Sequence, residues 1–169
     1  MSACQAECHE FESRIPLQLI MKYENKRKCG NCTVCCEGTL GANIHGHNMH
    51  PGVPCHFLDM ENHKCSIYKD RPKDICVPYK CAWLSDPDGG IPEWMKPNLS
   101  GVLISIKPWN DRFYWNIIDT KPYKPSILYW IFTFTEQRNI PIEIKIDGMF
   151  HIRGPKEFHE FLNNSRKPR

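Results

Sequence analysis

The chain lacks most of the features that announce a function directly. It has no G-x-G-x-x-G, no P-loop G-K-[ST] and no other glycine loop of the kind that cradles a nucleotide or a methyl donor. An attached nucleotide-binding or methyltransferase domain is therefore not expected. Long hydrophobic runs are also missing: the most apolar window, residues 127–134, falls far short of the roughly 20 residues that a membrane helix needs. Residues 1–28 scatter Glu7, Glu10, Glu12, Arg14 and Lys22 through their length, and Gln18 interrupts their longest apolar stretch, so no signal peptide is expected there. Charge of one sign is not in excess. The 22 basic and 19 acidic residues leave a formal +3, too small a field to point to nucleic acid.

What the chain has is cysteine. Ten of its 169 residues are Cys, while the 41% hydrophobic and 24% charged content is that of an ordinary folded protein. Without a membrane segment or a signal peptide, a cytoplasmic and reduced protein is the expectation, and under reducing conditions thiols serve as ligands or catalysts rather than as bridges. A disulfide framework is the competing reading, since ten is an even number. The adjacent pair Cys35 and Cys36 and the missing signal peptide weigh against it.

Composition divides the chain into a lead-in (1–28), a cysteine-rich stretch (29–100) and a region of ordinary secondary structure (101–169), which together read as one compact unit. The lead-in spaces Phe11, Ile15, Leu19 and Met21 at roughly helical intervals, against Pro16. The middle stretch holds eight cysteines, most histidines and little apolar periodicity, so it needs a staple other than a hydrophobic core, and metal coordination supplies one. In the last part, residues 102–106 and 113–118 predict strands around the turn-forming Pro108-Trp109-Asn110-Asp111. Ser126 is the expected N-cap of a helix over 127–138. Residues 142–146 alternate, Asp147-Gly148 predicts a tight hairpin, and 149–153 return. After Gly154-Pro155, Phe158, Phe161 and Leu162 share one face of a short amphipathic helix. The expected fold is α+β: a loop-rich, metal-stapled cysteine domain packed on a small, mostly antiparallel sheet with one or two helices.

The chemistry begins at Cys29. Cys29, Cys32, Cys35 and Cys36 form C-x-x-C-x-x-C-C, with Gly30 relieving the backbone where the loop folds back. The triple Cys29, Cys32 and Cys35 reproduces the run that wraps a corner of a [4Fe-4S] cube in bacterial ferredoxins, and its fourth ligand must come from elsewhere, with Cys81 the candidate. Cys36 diverges from its neighbour and points to a second centre or a buried thiol. Cys55, Cys65, Cys76 and Cys81 bring the set to eight, enough for two four-coordinate centres, for a cluster plus a structural zinc, or for one centre with spectators. Zn2+ is the alternative to the iron–sulfur cluster, in a closed site of an interaction module without catalysis. Cys4 and Cys8 read as free surface thiols.

Several other features have plain readings. His45, His47 and His50 sit in a Gly-rich loop that is more often exposed than metal-binding, and His56 adjoins Cys55 as a possible ligand or hydrogen-bond donor to one. Arg71 offsets thiolate charge. Trp109, Phe113, Trp115, Tyr129, Trp130 and Phe132 are expected in the core rather than on a base-stacking surface. The basic runs at 26–28 and 166–169 read as solvated ends.

The cysteine-rich stretch resembles the YkgJ-type cysteine-cluster family, described as zinc- or iron-chelating. The resemblance rests on Cys29-x-x-Cys32-x-x-Cys35-Cys36, on Cys55-His56-Phe57-Leu58, on Cys65-Ser66-Ile67-Tyr68-Lys69-Asp70-Arg71-Pro72, and on Cys76-Val77-Pro78-Tyr79-Lys80-Cys81-Ala82-Trp83-Leu84, in that order. Ile91-Pro92-Glu93-Trp94-Met95-Lys96-Pro97 is similar to the segment that follows, so that about residues 29–104 are covered. Two positions depart: three residues separate Pro72 from Cys76 where the family usually has two, and Val77 stands where it usually has Arg. The resemblance implies metal chelation by the cysteines. For some relatives it implies an iron–sulfur cluster beside a protein-modifying activity such as lysine methylation; a reaction for this chain does not follow. A metal ion or cluster is the implied partner. A protein partner is unidentified, and neither nucleic acid nor membrane is expected.

Overall fold

The computed structural model describes residues 27–86, 89–146 and 148–166. The reading of a helical lead-in and the thiols of Cys4 and Cys8 lie outside them.

The chain first runs through two small ribbons, β1 (Ala42–Ile44) with β2 (His47–Met49), and β3 (Leu58–Asp59) with β4 (Lys64–Cys65), each an antiparallel pair. Two one-turn helices follow, α1 (Ala82–Ser85) and α2 (Pro97–Ser100), with a 3-10 turn over Glu93–Met95 between them. The four-stranded sheet then forms from β5 (Val102–Trp109), β6 (Arg112–Asp119), β7 (Ile142–Ile146) and β8 (Met149–Arg153), in spatial order β5-β6-β7-β8. Helix α3 (Pro125–Gln137) joins β6 to β7, and α4 (Lys156–Ser165) closes the described chain.

The fold is α+β, and its outer pairs β5–β6 and β7–β8 are antiparallel. The central pair β6–β7 is parallel, with Trp115 opposite Ile142 and Ile117 opposite Ile144, because a long helix carries the chain back to the starting end of the sheet. Both expected hairpins are present. The first is tighter than its sequence suggests: Pro108 pairs with Phe113 and Trp109 with Arg112, leaving Asn110 and Asp111 as the turn, with Asn110 in the left-handed region at φ +53°. Pro108 is accommodated because β5 is an edge strand, where an absent N–H leaves no ladder bond unmade. In the second, Ile146 pairs with Met149, and Gly148 supplies the positive φ of +80°.

Helix α3 begins two residues earlier than expected. Pro125 occupies its first position and Lys124, not Ser126, is the N-cap, as suits a residue whose missing N–H would be unpaired there in any case. Ile127, Ile131 and Phe134 turn one face of α3 onto the sheet, against Ile104, Trp115, Ile117, Ile142 and Ile144. A second cluster holds Trp109, Tyr114, Phe158 and Leu162, with Phe161 packed beside it. The expected face of α4 is thus the buried one. Among the aromatics, Trp109 and Trp115 are buried and Trp130 and Phe132 half-buried, but Phe113 and Tyr129 are exposed at 51% and 74% and do not belong to the core. Phe113 sits on the outward face of a hairpin tip, and Tyr129 on the face of α3 turned from the sheet.

The main core also contains Val34, Cys81, Ala82, Trp83, Ile91 and Met95. The first cysteine loop and the stretch that includes α1 are therefore built onto the sheet. Residues 50–80 are different: none of them is buried. Among the described residues no helix is long and apolar enough to cross a membrane.

Candidate metal centre

The first cysteine loop is a succession of tight turns. Gly30 takes φ +58°, Cys32 N–H donates to the Cys29 carbonyl at 3.0 Å, and Cys36 N–H donates to that of Thr33 at 2.7 Å as the 3-10 turn Val34–Cys36 closes. Val34 anchors the loop in the core, and Cys32 and Cys35 pack half-buried against the same core. Thr39 Oγ1 holds the Val34 carbonyl at 2.7 Å. Gly38 then lets another segment come close: at φ +80°, an added Cβ would stand 2.9 Å from the His50 carbonyl oxygen.

Cys81 reaches this loop from the other side, buried at the start of α1. Two cations flank the next residue but one. Arg27 Cζ and Lys96 Nζ each lie 5.0 Å from the Trp83 ring. Arg27 also donates to the carbonyls of Trp83 and Ile91, both at 2.6 Å, and pairs with Asp86 at 3.1 Å, while Asp86 accepts the Ile91 N–H at 2.7 Å. The reading of residues 26–28 as a solvated run fails at Arg27, which is drawn in by carbonyls that the turn after α1 leaves without partners. It fails likewise at Arg166, which pairs with the buried Glu143 and lies 4.0 Å over the Phe150 ring.

The eight thiols in the described residues are all free. They fall into two electrostatic neighbourhoods that overlap at Cys36, which acts on Cys29 and Cys35 as well as on Cys55 and Cys76. Burial pushes the Cys29 thiol up, and Cys32 and Cys36 add to this, while Lys96 and Arg71 pull the other way. Burial likewise raises Cys81, with Cys29 and Cys32 adding to it. Cys35 is raised by its hydrogen bond with Cys36, then by burial, and then by the charges of Cys36, Cys29 and Cys32. The set is Cys29, Cys32, Cys35 and Cys81.

The second neighbourhood gathers around Cys36. Its Sγ lies 3.8 Å from that of Cys35, so the two side chains meet instead of diverging as expected, and the hydrogen bond between them, helped by Arg71 and opposed by burial and Glu37, lowers the Cys36 thiol. Cys55 N–H donates to the Cys36 carbonyl at 2.8 Å, and Leu58 N–H donates to that of Cys55 at 3.0 Å. The β3–β4 ribbon then sets Cys65 opposite Leu58. Cys76 N–H returns to the Pro72 carbonyl at 3.0 Å, so the three residues between them form one turn. Burial raises Cys55, with Cys36 and Cys65 adding to it; burial raises Cys76, with Cys36, Cys55 and Cys65 adding and Arg71 opposing. Arg71 itself packs 4.1 Å over the Tyr68 ring, from where its charge acts on Cys29, Cys36 and Cys76.

Sulfur positions are less convergent than these neighbourhoods. Among the described residues no group of three or more His, Cys, Asp or Glu side chains stands close enough to hold an ion.

The histidines are occupied with packing. His47 and His56 stack at 3.9 Å with their planes 5° apart, and Phe57 meets His45, His47 and His56 edge-on. A metal lies in the plane of the imidazole that binds it, so two parallel stacked rings do not share one ion. His45 Nε2 lies 3.3 Å from the Asp70 carbonyl and His50 Nδ1 3.2 Å from that of Pro51.

Sequence reasoning missed a polar network on the far side of the first loop. Thr33 Oγ1 donates to Glu37 at 2.6 Å, and His63 Nδ1 lies 3.4 Å from Thr33 Oγ1 and 3.9 Å from Glu37. Glu37 and His63 edge a cavity of about 390 Å³ lined also by Asn31, Val34, Asn98, Thr120 and Lys121. The signal for it is slight: Thr33 and Glu37 stand four apart, but His63 comes from a distant turn.

Comparison of the chain with protein families, with curated proteins and with solved structures finds no match.

Proposed function

We propose that this is a metal-binding cysteine-cluster protein, with an iron–sulfur cluster of the [4Fe-4S] type as its favoured cofactor and Cys29, Cys32, Cys35 and Cys81 as the residues that would hold it. The observation that carries the reading is the free state and grouping of these thiols: three on one tightly turned loop and a fourth, distant in sequence, within electrostatic range of Cys29 and Cys32. The donor set fits the group in kind and in number, since thiolate is the ligand that iron–sulfur centres take four times.

When bound, such a cluster supplies one-electron chemistry at a potential set by charge, hydrogen bonding and exposure. The chain's own residues bear on each of these. Val34 and Cys81 tie the site to a rigid core, and half-burial of Cys32 and Cys35 limits water. Lys96 and Arg71 offset thiolate charge at Cys29.

Zinc is the alternative, supported by the number of thiols: eight divide into two four-thiolate sites without remainder. In that case the protein is a closed structural or interaction module. The resemblance to YkgJ-type proteins supports metal chelation under either reading, and the thiols require a reducing compartment such as the cytoplasm.

Anaerobic purification from cells competent in cluster assembly tests the choice. Brown protein with broad visible absorption and equal iron and acid-labile sulfide supports the cluster. Colourless protein with stoichiometric zinc replaces it with the alternative, and protein free of both metals overturns the metal-binding function.

A further inference from the structure

We infer that β8 is a self-association edge, at which two copies of this chain pair antiparallel about His151 and join their four-stranded sheets into one of eight strands.

The two edges of the sheet are finished differently. β5 has α1 and α2 packed against it and its first four residues buried, and its exposed stretch holds Lys107 and Pro108, a charge and a missing N–H that both discourage pairing. β8 has neither device. Among the described residues no strand lies beyond it, it contains no Lys or Pro, and four of its five residues are exposed, Met149 at 65% and Phe150 at 53%. An edge left in this state is a template for another strand.

The hairpin decides which main-chain groups are available. Ile146 and Met149 close a two-residue turn as a hydrogen-bonded pair, and the pattern alternates from there. Met149, His151 and Arg153 therefore direct their N–H and C=O groups at β7, while Phe150 and Ile152 direct theirs outward. Antiparallel pairing centred on His151 sets Phe150 of each copy opposite Ile152 of the other, so the outward groups meet one another and four N–H···O=C bonds form. Any other centre places strand residues opposite a turn.

Side chains agree with the same register. Phe150 and Ile152 lie on the α4 side of the sheet, where Ile152 packs on the Phe158 cluster, and the centred pairing gives two contacts of an aromatic with a β-branched residue, a combination that stabilises sheets. The Phe150 ring is already held, with Arg166 Cζ at 4.0 Å and Lys145 Nζ at 5.8 Å, so it has little freedom left to lose on association. On the α3 side Met149 meets the aliphatic stem of Arg153, whose guanidinium lies 4.9 Å from the Phe132 ring. His151 meets His151. With that residue neutral, no like charges stand opposite each other. Five residues from each copy cover less than the roughly 1,200–2,000 Å² of a stable interface, so the dimer is weak and concentration-dependent.

Sedimentation equilibrium of the full chain reads the association, under anaerobic reducing conditions that prevent disulfides between copies. The wild type should show a monomer–dimer equilibrium; a chain that stays monomeric at every concentration reached overturns the inference. His151 tests the register, because its side chain is exposed and faces itself only in the centred pairing. His151→Lys and His151→Glu should each weaken self-association by up to about fivefold, and an equimolar mixture of the two should associate more tightly than either alone. Association that is the same in wild type, both variants and the mixture puts the contact elsewhere and is a refutation. Phe150→Pro removes two of the four new bonds and should give a monomer with wild-type circular dichroism. Should that variant fail to fold, the wild-type chain decides: amide exchange at Phe150 and Ile152 should slow as the protein is concentrated, and exchange independent of concentration overturns the pairing. Each of these results leaves the proposed metal-binding function to its own test.

Discussion

The backbone N–H of Cys55 donates to the carbonyl of Cys36 at 2.8 Å, and that bond fastens a stretch without buried residues to a loop rooted in the core. It lies beside Gly38, whose φ of +80° and closeness to the His50 carbonyl admit no side chain. Two consecutive approaches of the same segment thus depend on main-chain geometry rather than on apolar packing.

Gly38→Ala should therefore be costly. A Cβ 2.9 Å from a backbone oxygen, on a residue already in the left-handed region, forces the His50 segment away. About 1–3 kcal/mol of destabilisation is expected. In a chain of this size each kcal/mol lowers the melting temperature by roughly 2–4 °C. A melting temperature equal to wild type under matched metal loading would show that the approach has no energetic weight.

Asp86 joins α1 to the turn at Ile91 by accepting from both Arg27 and the Ile91 N–H. Its side chain is 11% exposed, so removing it takes the counter-charge from Arg27 and the acceptor from the Ile91 N–H in a poorly solvated place. Asp86→Ala should cost about 2–4 kcal/mol, and Asp86→Asn less, because the amide oxygen can still accept. Denaturant titration of the three proteins gives the order; a silent Asp86→Ala refutes it.

Asp59 provides the pH dependence. Its carboxylate accepts from the Asn62 side chain at 2.7 Å and from the N–H groups of Asn62 and Glu61 at 3.0 Å, and these bonds, the Asn62 side chain foremost, hold it below the usual carboxylate range. The folded value lies below the unfolded one. The turn's contribution is then complete above the ordinary carboxylate pKa and is lost as pH falls through the depressed one. Titration of the Asp59 carboxyl by NMR should show a midpoint below 3.8, the ordinary value, and Asp59→Ala should remove the acid-side loss of β3–β4 order. A midpoint at or above that value would be the contrary result.

Cysteine variants should separate ligands from bystanders by position. Cys32→Ser should lose bound metal, whereas Cys4→Ser and Cys8→Ser should keep it, with metal content after desalting as the measure. Retention in Cys32→Ser would remove the first loop from the metal-binding function.

How much of this was legible depended on how local the cause was. The strands of both hairpins show in alternation and in Gly148, and α4 shows in the spacing of Phe158, Phe161 and Leu162, because short-range periodicity reports one buried face. The parallel pairing of β6 with β7 did not show, since nothing in residues 113–118 or 142–146 specifies a partner across α3. Pro125 at the first position of α3 outcompeted the Ser126 cap through its fixed φ. For the candidate site, the C-x-x-C spacing of the first loop was plain from its residues. The roles of Arg27 and Lys96 at Trp83 were not, because they arise from chain segments more than fifty and about a dozen residues away, respectively.

Val34 and Cys81 share a core with Ile142 and Ile144, residues near the end of the chain. This has a consequence for the order of events during synthesis. The core on which Val34 and Cys81 sit is incomplete until β7 has left the ribosome, so the loop of Cys29, Cys32 and Cys35 waits for a strand made long after its own residues.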